Sequence, residues 1–369
     1  MKRELEGYVF FKDAKFHPGR IYIENGKIKS VEEIPEVSLS PDESKQYIIP
    51  GLVDVHSHGC FGHDTCDADP DGLREMIKFE ESRGITSYCP TTMTFHEDKL
   101  TKVVEVVKEV AKETKTIKGI YLEGPFISRE KCGAQNPEFI MKADAKMVRR
   151  LNKASGNLCK VVAIAPETEG ALDFIKELSG EIVCSIAHTT SDYDTAVKAI
   201  KNGAKEITHL YNALPVYSHR NPGVIGAAMD DENIKVELIA DGVHVHPAVV
   251  RNTFRYFGAD RIMLISDSME ATGMPNGKYS LGGQDVYVEG RLATLKDKTI
   301  AGSASTLYDV MVEAIKMGVS KEDAIVSATR TPAKQIGIFD KVGSIEKGKD
   351  ADLLVVDKDF NLKEVVISR

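Results

Sequence analysis

The sequence predicts an α/β protein: a (β/α)8 TIM-like barrel carrying a small β-sandwich domain built from both chain termini. Three observations lead there. The middle of the chain alternates eight short β-rich runs with helical stretches, the rhythm of parallel strands joined by helices. The first fifty residues and the last thirty are β-rich in a different style. Histidines and carboxylates recur where those middle runs end, which in a barrel is the face that holds the chemistry.

The N-terminal runs Gly7–Phe10, Gly19–Ile23 and Gly26–Ile28 alternate apolar and polar residues around Asn25-Gly26, a strong hairpin signal. Gly343–Ile345, Ala351–Asp357 and Leu362–Ile367 repeat that style at the other end. Termini often lie close together, so residues 1–51 plus 340–369 are expected to form the small β domain and residues 52–339 the barrel. The eight barrel strands are expected at Ile49–Val55, Ser87–Pro90, Ile117–Glu123, Val161–Ala165, Ile182–His188, Glu206–His209, Lys235–Ile239 and Ile262–Ser266. Amphipathic helices are expected at Leu73–Arg83, Asp98–Glu113, Ala171–Leu178 and Asp192–Lys201, the last stopped by Asn202-Gly203. Gly273–Thr299, with Gly282-Gly283 and Glu289-Gly290 turns, breaks the rhythm as a hairpin excursion. A doubly wound sheet is the alternative architecture.

Composition narrows the class. The chain has 369 residues, 42% hydrophobic and 28% charged, with a net charge of −8, the profile of a soluble globular protein. No lysine- or arginine-rich block is present, which argues against a nucleic-acid partner. No apolar run approaches the ~18 residues of a membrane span, and the N-terminus lacks a signal-peptide core, so a cytoplasmic location is expected. Six scattered cysteines without a CxxC pair read as free thiols; Cys60 and Cys66 lie near a histidine motif and are weaker ligand candidates.

His56 and His58 are two apart, so an extended strand points both to one side, where they can share a divalent cation. HxH alone is weak; it gains meaning because four more strand ends offer ligand-type groups. Glu123 ends the apolar run Ile117–Leu122, where an unpartnered carboxylate is costly to bury and a bridging ligand is not. His188 and His209, one β/α unit apart, fall on neighbouring strands. Imidazole and carboxylate suit Zn²⁺, Fe²⁺, Mn²⁺ or Co²⁺, as one ion or two. Asp267 at the eighth strand end can take a proton from an activated water and hand it to a leaving nitrogen. His63, His219 and His246 read as surface or supporting residues.

Together these motifs resemble the N-acetylglucosamine-6-phosphate deacetylases, a branch of the amidohydrolase superfamily. The resemblance rests on Pro50–Gly59, Leu122–Phe126, His209-Leu210-Tyr211-Asn212-Ala213, His219–Gly223, Asp241-Gly242-Val243-His244, Ser266-Asp267, Ala301-Gly302-Ser303 and the Gly343–Leu353 ending, in family order along the chain. It implies Glu123, His188 and His209 at the common metal, His56 and His58 at a second, Asp267 as base and then acid, and His244 near the acetamide. It implies Asn212, Ala213 and Arg220 at the sugar phosphate, and Ile300, Ala301 and Gly302 along the sugar pocket. It adds Ala134 and Gln135, in the segment after Glu123, to the expected substrate-binding residues; Gln135 stands where relatives often have histidine, which implies a weaker hold on the phosphate or a different sugar. The resemblance also implies a homodimer with a small amino-sugar phosphate as substrate. The competing enzyme is another amidohydrolase, acting on a different acetyl sugar or a cyclic amide; a non-catalytic scaffold would not need the ligand set.

Overall fold

In a computed structural model, which describes residues 2–368, eight parallel strands follow one another in sequence order around one sheet. They are β1 (Leu52–Ser57), β2 (Ile85–Thr92), β3 (Ile120–Leu122), β4 (Cys159–Ile164), β5 (Val183–Ile186), β6 (Glu206–Ile207), β7 (Lys235–Leu238) and β8 (Ile262–Leu264). The doubly wound alternative is thereby removed, because every strand pairs with its sequence neighbour. The two ends meet through hydrogen bonds just beyond β8: Asp267 N–H donates to the His56 carbonyl at 2.9 Å, and His58 N–H to the Ser268 carbonyl at 2.8 Å. Buried Asp54 reinforces that seam, accepting from the Ser266 backbone N–H at 3.4 Å.

Alternation along the strands sorts the core into two layers. Val53, Val55, Tyr121, Val161, Ala163 and Ile239 fill the barrel interior, while Leu52, Ile120, Val162, Ile164, Val236 and Leu238 face the helices. Helix Pro70–Ser82 starts at Asp69, which caps Asp71 N–H, and buries Leu73, Met76 and Ile77. Helix Tyr193–Asn202 starts with Asp192 accepting from Thr195 N–H and ends at Gly203, whose φ of 119° a side chain would resist. Strands β5 and β6 end short of the expected His188 and His209, whose positive φ breaks the ladder.

The terminal segments form one six-stranded sheet in the order 362–366, 353–357, 46–50, 2–10, 16–24 and 27–33. The sandwich expected from the two ends thus takes the form of a single sheet. One face, with Leu5, Val9, Ile21 and Ile48, closes on its own small core with Ile345 and Ala351, and the other sends Phe10, Ile49, Leu354 and Val356 into the main core. The excursion is a three-stranded antiparallel sheet, Gly277–Leu281, Gln284–Glu289 and Leu292–Thr294. Gly282 and Gly283 turn its first hairpin at φ of 57° and 81°, a pair of left-handed residues that glycine supplies without strain. Among the described residues, no helix is long and apolar enough to cross a membrane.

Candidate metal centre

The ends of β1, β3, β5 and β6 converge on one face of the barrel. Two groups of ligand atoms, each within 4.8 Å, lie at the C-terminal mouth: His56, His58 and Glu123, and Glu123, His188 and His209. Glu123 belongs to both. Its Oε1 lies 3.1 Å from His188 Nε2, 3.0 Å from His209 Nε2 and 3.5 Å from His56 Nε2, and its Oε2 lies 3.2 Å from His58 Nε2.

The proton bookkeeping shows what the centre is for. His188 Nδ1–H donates to the Lys131 carbonyl at 2.8 Å and His209 Nδ1–H to the Asn212 carbonyl at 3.1 Å. Each ring's other nitrogen therefore presents a lone pair. Those two Nε2 atoms lie 3.1 Å apart, against a carboxylate oxygen. Among the described residues, the buried His56 Nε2 has no hydrogen-bond partner. Convergent acceptors without a donor fit a divalent cation, and neutral imidazole with carboxylate is a donor set for a borderline metal. Burial pushes the Glu123 carboxyl up, but the His188 and His56 imidazoles around it prevail and hold it well below the carboxylate range.

Local backbone places these groups. His188, His209 and Asp267 have φ of 42°, 25° and 49°, conformations that cost about 1–3 kcal/mol each and persist where surrounding contacts over-determine them. Here those contacts include Asp267 O accepting from Ser303 N–H at 2.7 Å and Glu237 Oε2 accepting from His209 N–H at 3.0 Å. Asp267 Oδ1 stands 3.3 Å from His58 Nε2 and 3.6 Å from His56 Nε2. Burial raises the Asp267 carboxyl, but the His58 hydrogen bond and the nearby His56 and His58 rings outweigh it, and the balance falls below its ordinary value.

A cavity of about 340 Å³ opens over the centre, lined by His58, Glu123, His188, His209, His244 and Asp267, with Ala134, Gln135, Asn212, Ala213, Ile300 and Gly302 on its walls. His56 lies beneath it, fully buried. His244 is set by Asp241, whose Oδ2 accepts from His244 Nδ1 at 2.8 Å while Oδ1 accepts from the Val243 and His244 backbone N–H groups at 2.9 Å. Ser303 Oγ–H donates to the same carboxylate at 3.3 Å. Burial disfavours the His244 imidazolium, but the Asp241 hydrogen bond and charge outweigh it, so its pKa lies above 6.5.

Two expected positions fall elsewhere. Arg220 is exposed and lines a separate depression with Thr190, Asp192, Tyr193, Pro215 and Asn221, because the loop after Ala213 runs outward. Ala301 is fully buried in the core of the small hairpin sheet, with Ile300 and Gly302 on either side facing the cavity. Gln135 is near the site but engaged inward: its Nε2–H donates to Glu123 Oε2 and its Oε1 accepts from Thr94 N–H at 2.7 Å. It steadies the bridging carboxylate. Cys60 and Cys66 are buried outside both ligand groups. His63 pairs with Glu75, His219 is exposed, and His246 caps the helix Pro247–Phe257. The residues missed were Glu237, Asp241 and Ser303; a glutamate inside the apolar run Lys235–Ile239 was the signal available for the first.

With this geometry in place, the likeness to known proteins is decisive. The amidohydrolase family model matches residues 47–368. An N-acetylglucosamine-6-phosphate deacetylase of Bacillus subtilis (strain 168) is 37% identical over 92% of this chain and 89% of its own. This chain belongs to the amidohydrolase family, in its N-acetylglucosamine-6-phosphate deacetylase branch. An N-acetylgalactosamine-6-phosphate deacetylase of Escherichia coli O157:H7 is 32% identical over 94% of this chain and 93% of its own. Among solved structures, a mutant of the N-acetyl-D-glucosamine-6-phosphate deacetylase of Mycobacterium smegmatis, in complex with N-acetyl-D-glucosamine-6-phosphate, superposes with a TM-score of 0.92. It is 30% identical, and the match covers 100% of this chain and 98% of that one. The amidohydrolase centre of this chain is a divalent-metal site built on histidine and glutamate.

Proposed function

We propose that this amidohydrolase removes the acetyl group of N-acetylglucosamine-6-phosphate, giving glucosamine-6-phosphate and acetate, with two divalent ions sharing Glu123. The observation that carries this reading is the shared carboxylate: one side chain serves both ligand groups, directly below a cavity faced by Asp267 and His244. A divalent cation, Zn²⁺, Fe²⁺, Mn²⁺ or Co²⁺, supplies Lewis acidity, making water a better nucleophile and an amide carbonyl a better electrophile. Asp267, ionised and at the rim of the ligand cluster, takes the proton of the attacking water and returns it to the amine nitrogen as the C–N bond breaks. His244, with Nδ1–H committed to Asp241, directs Nε2 at the substrate and donates to the oxygen that gains charge.

Asn212, Ala213, Ile300 and Gly302 wall this cavity, and Lys131 is the one lysine or arginine among the described residues lining it. Arg220 lies outside its own chain's cavity, and a phosphate role for it fits a subunit boundary that brings this loop to a neighbouring cavity. Exposed Val216 and Tyr217 in the same loop are consistent with that boundary and with a homodimer. Six free cysteines fit a cytoplasmic enzyme. Because one relative is named for the galactosamine epimer, the epimer is the second reading.

The test is acetate release from N-acetylglucosamine-6-phosphate beside its galactosamine epimer, the unphosphorylated sugar and dihydroorotate, each with metal restored. Turnover at least tenfold faster on the glucosamine phosphate is expected. Preference for the epimer would move the substrate assignment, and turnover of dihydroorotate alone would replace it with a cyclic amide.

The His244 assignment makes a pH prediction. Its pKa is raised, so the donating imidazolium persists below that value and is lost as pH rises through it. Activity should therefore fall on an alkaline limb. His244→Asn, which keeps a neutral donor, should cut kcat by about 10²–10³-fold and abolish that limb. An unchanged limb in the variant would assign it to another group.

A further inference from the structure

Glu237 is a carboxylate that the reaction itself leaves unused. It lies inside β7, fully buried, and reaches two of the ligand histidines from beneath. Its Oε2 accepts from His56 Nδ1 at 3.0 Å and from the backbone N–H of His209 at 3.0 Å. One oxygen thus touches a ligand from each ion group.

The contact with His56 decides which nitrogen holds the proton. With Nδ1–H committed to Glu237, Nε2 keeps its lone pair, and that atom is the buried, unpartnered one 3.5 Å from Glu123 Oε1. Without Glu237, either nitrogen could carry the proton, and a proton on Nε2 would point into the cation position. The ring is fixed in orientation as well: the Tyr121 ring packs against it at 4.5 Å between centroids, and Tyr121 Oη is itself tied to Thr208 Oγ1 at 2.7 Å. His188 and His209 make their corresponding bonds to backbone carbonyls, so His56 differs in being held by a carboxylate. A carboxylate behind a histidine fixes the tautomer and makes the imidazole a stronger ligand. The buried Glu206 carboxyl neighbours Glu237 on the adjoining β6, where Gln335 Nε2–H donates to Glu206 Oε2 at 2.7 Å.

We propose that Glu237 is a positioning residue that sets the affinity of the ion held by His56 and His58. The inference rests on the two-ion reading above, and its test separates the two. Chelated wild type, Glu237→Gln and Glu237→Met are titrated with Co²⁺, following stoichiometry, affinity and visible absorption, and apo-protein melting is recorded. Glu237→Met, which removes the acceptor at similar volume, should weaken the ion held by His56 and His58 about 10–100-fold and alter its absorption, and weaken the other ion by less, through the lost His209 N–H bond. Glu237→Gln keeps an amide oxygen for His56 without the charge, and should recover part of that affinity. Wild-type affinity for both ions in the Met variant overturns the inference. Equal weakening of both ions with a lower apo melting temperature overturns it too, since that marks a residue of the fold. If the Met variant does not fold, an unchanged affinity and spectrum in Glu237→Gln overturns it, and a weakened, spectrally shifted single ion supports it. If wild type binds one ion, the two-ion reading fails while this inference is judged on that ion: weakening by Glu237→Met with apo melting unchanged sustains it, and any other result removes it.

Discussion

Asp267→Asn is expected to lower kcat by about 10²–10⁴-fold while leaving the metal content within error of wild type. Asparagine is isosteric and can keep the backbone bonds that place residue 267, namely N–H to the His56 carbonyl at 2.9 Å and O from Ser303 N–H at 2.7 Å. What it cannot do is accept and return a proton. The Asp267 carboxylate stands 3.3–3.6 Å from the His58 and His56 Nε2 atoms and outside both three-residue ligand groups, so the ions should survive its loss. Its lowered pKa means that it is already ionised through the neutral range, so no acid limb near pH 6 should be traced to it. Rapid-quench acetate release alongside metal analysis checks this. Turnover within threefold of wild type would remove Asp267 from proton transfer; loss of metal in parallel with turnover would make it a ligand instead.

The sequence made the scaffold legible because barrel strands are apolar runs bounded by polar residues, and such runs survive in one dimension. Ile117–Leu122 and Lys235–Ile239 needed no tertiary information to be read as strands. The candidate site was legible for a related reason: the ligand-type residues His56, His58, Glu123, His188 and His209, and Asp267 beside them, each follow such a run, and strand ends share one face. What escaped was everything decided by loop direction or by a second contact. Arg220 is eight residues after Asn212 in the chain, yet the loop between them turns away from the cavity. Ala301 sits between two cavity-facing residues, yet its methyl packs into the hairpin-sheet core beside Gly302, whose φ of 63° turns the chain. Gln135 was read through the phosphate, whereas its amide is committed to Glu123 and Thr94. Glu206 and Glu237 lie within strands and face the interior, where pattern reading expects apolar residues, and only the neighbours found there explain them. The left-handed backbones of His188, His209 and Asp267 leave only the weak signal that histidine and aspartate adopt such φ more often than most residues.

Those same lone pairs make metal removal a test of stability as well as of activity. In the chelated protein, His188 Nε2, His209 Nε2 and Glu123 Oε1 remain 3.0–3.1 Å apart with no charge of opposite sign between them unless a proton enters. Ion binding to the folded chain alone adds RT ln(1 + [M]/Kd), roughly 4 kcal/mol at a thousandfold excess over Kd. Chelation should therefore abolish measurable turnover and lower the melting temperature, and adding metal back should restore both. His188→Ala should lower bound metal and reproduce the loss of activity without chelator, since its Nε2 has no substitute within the group. Acid should act in the same direction, because protons compete for the imidazole nitrogens that the ion requires. A chelated protein that turned over substrate at the wild-type rate, or a His188→Ala variant with unchanged metal stoichiometry, would show that the convergence of these side chains serves the fold and not an ion.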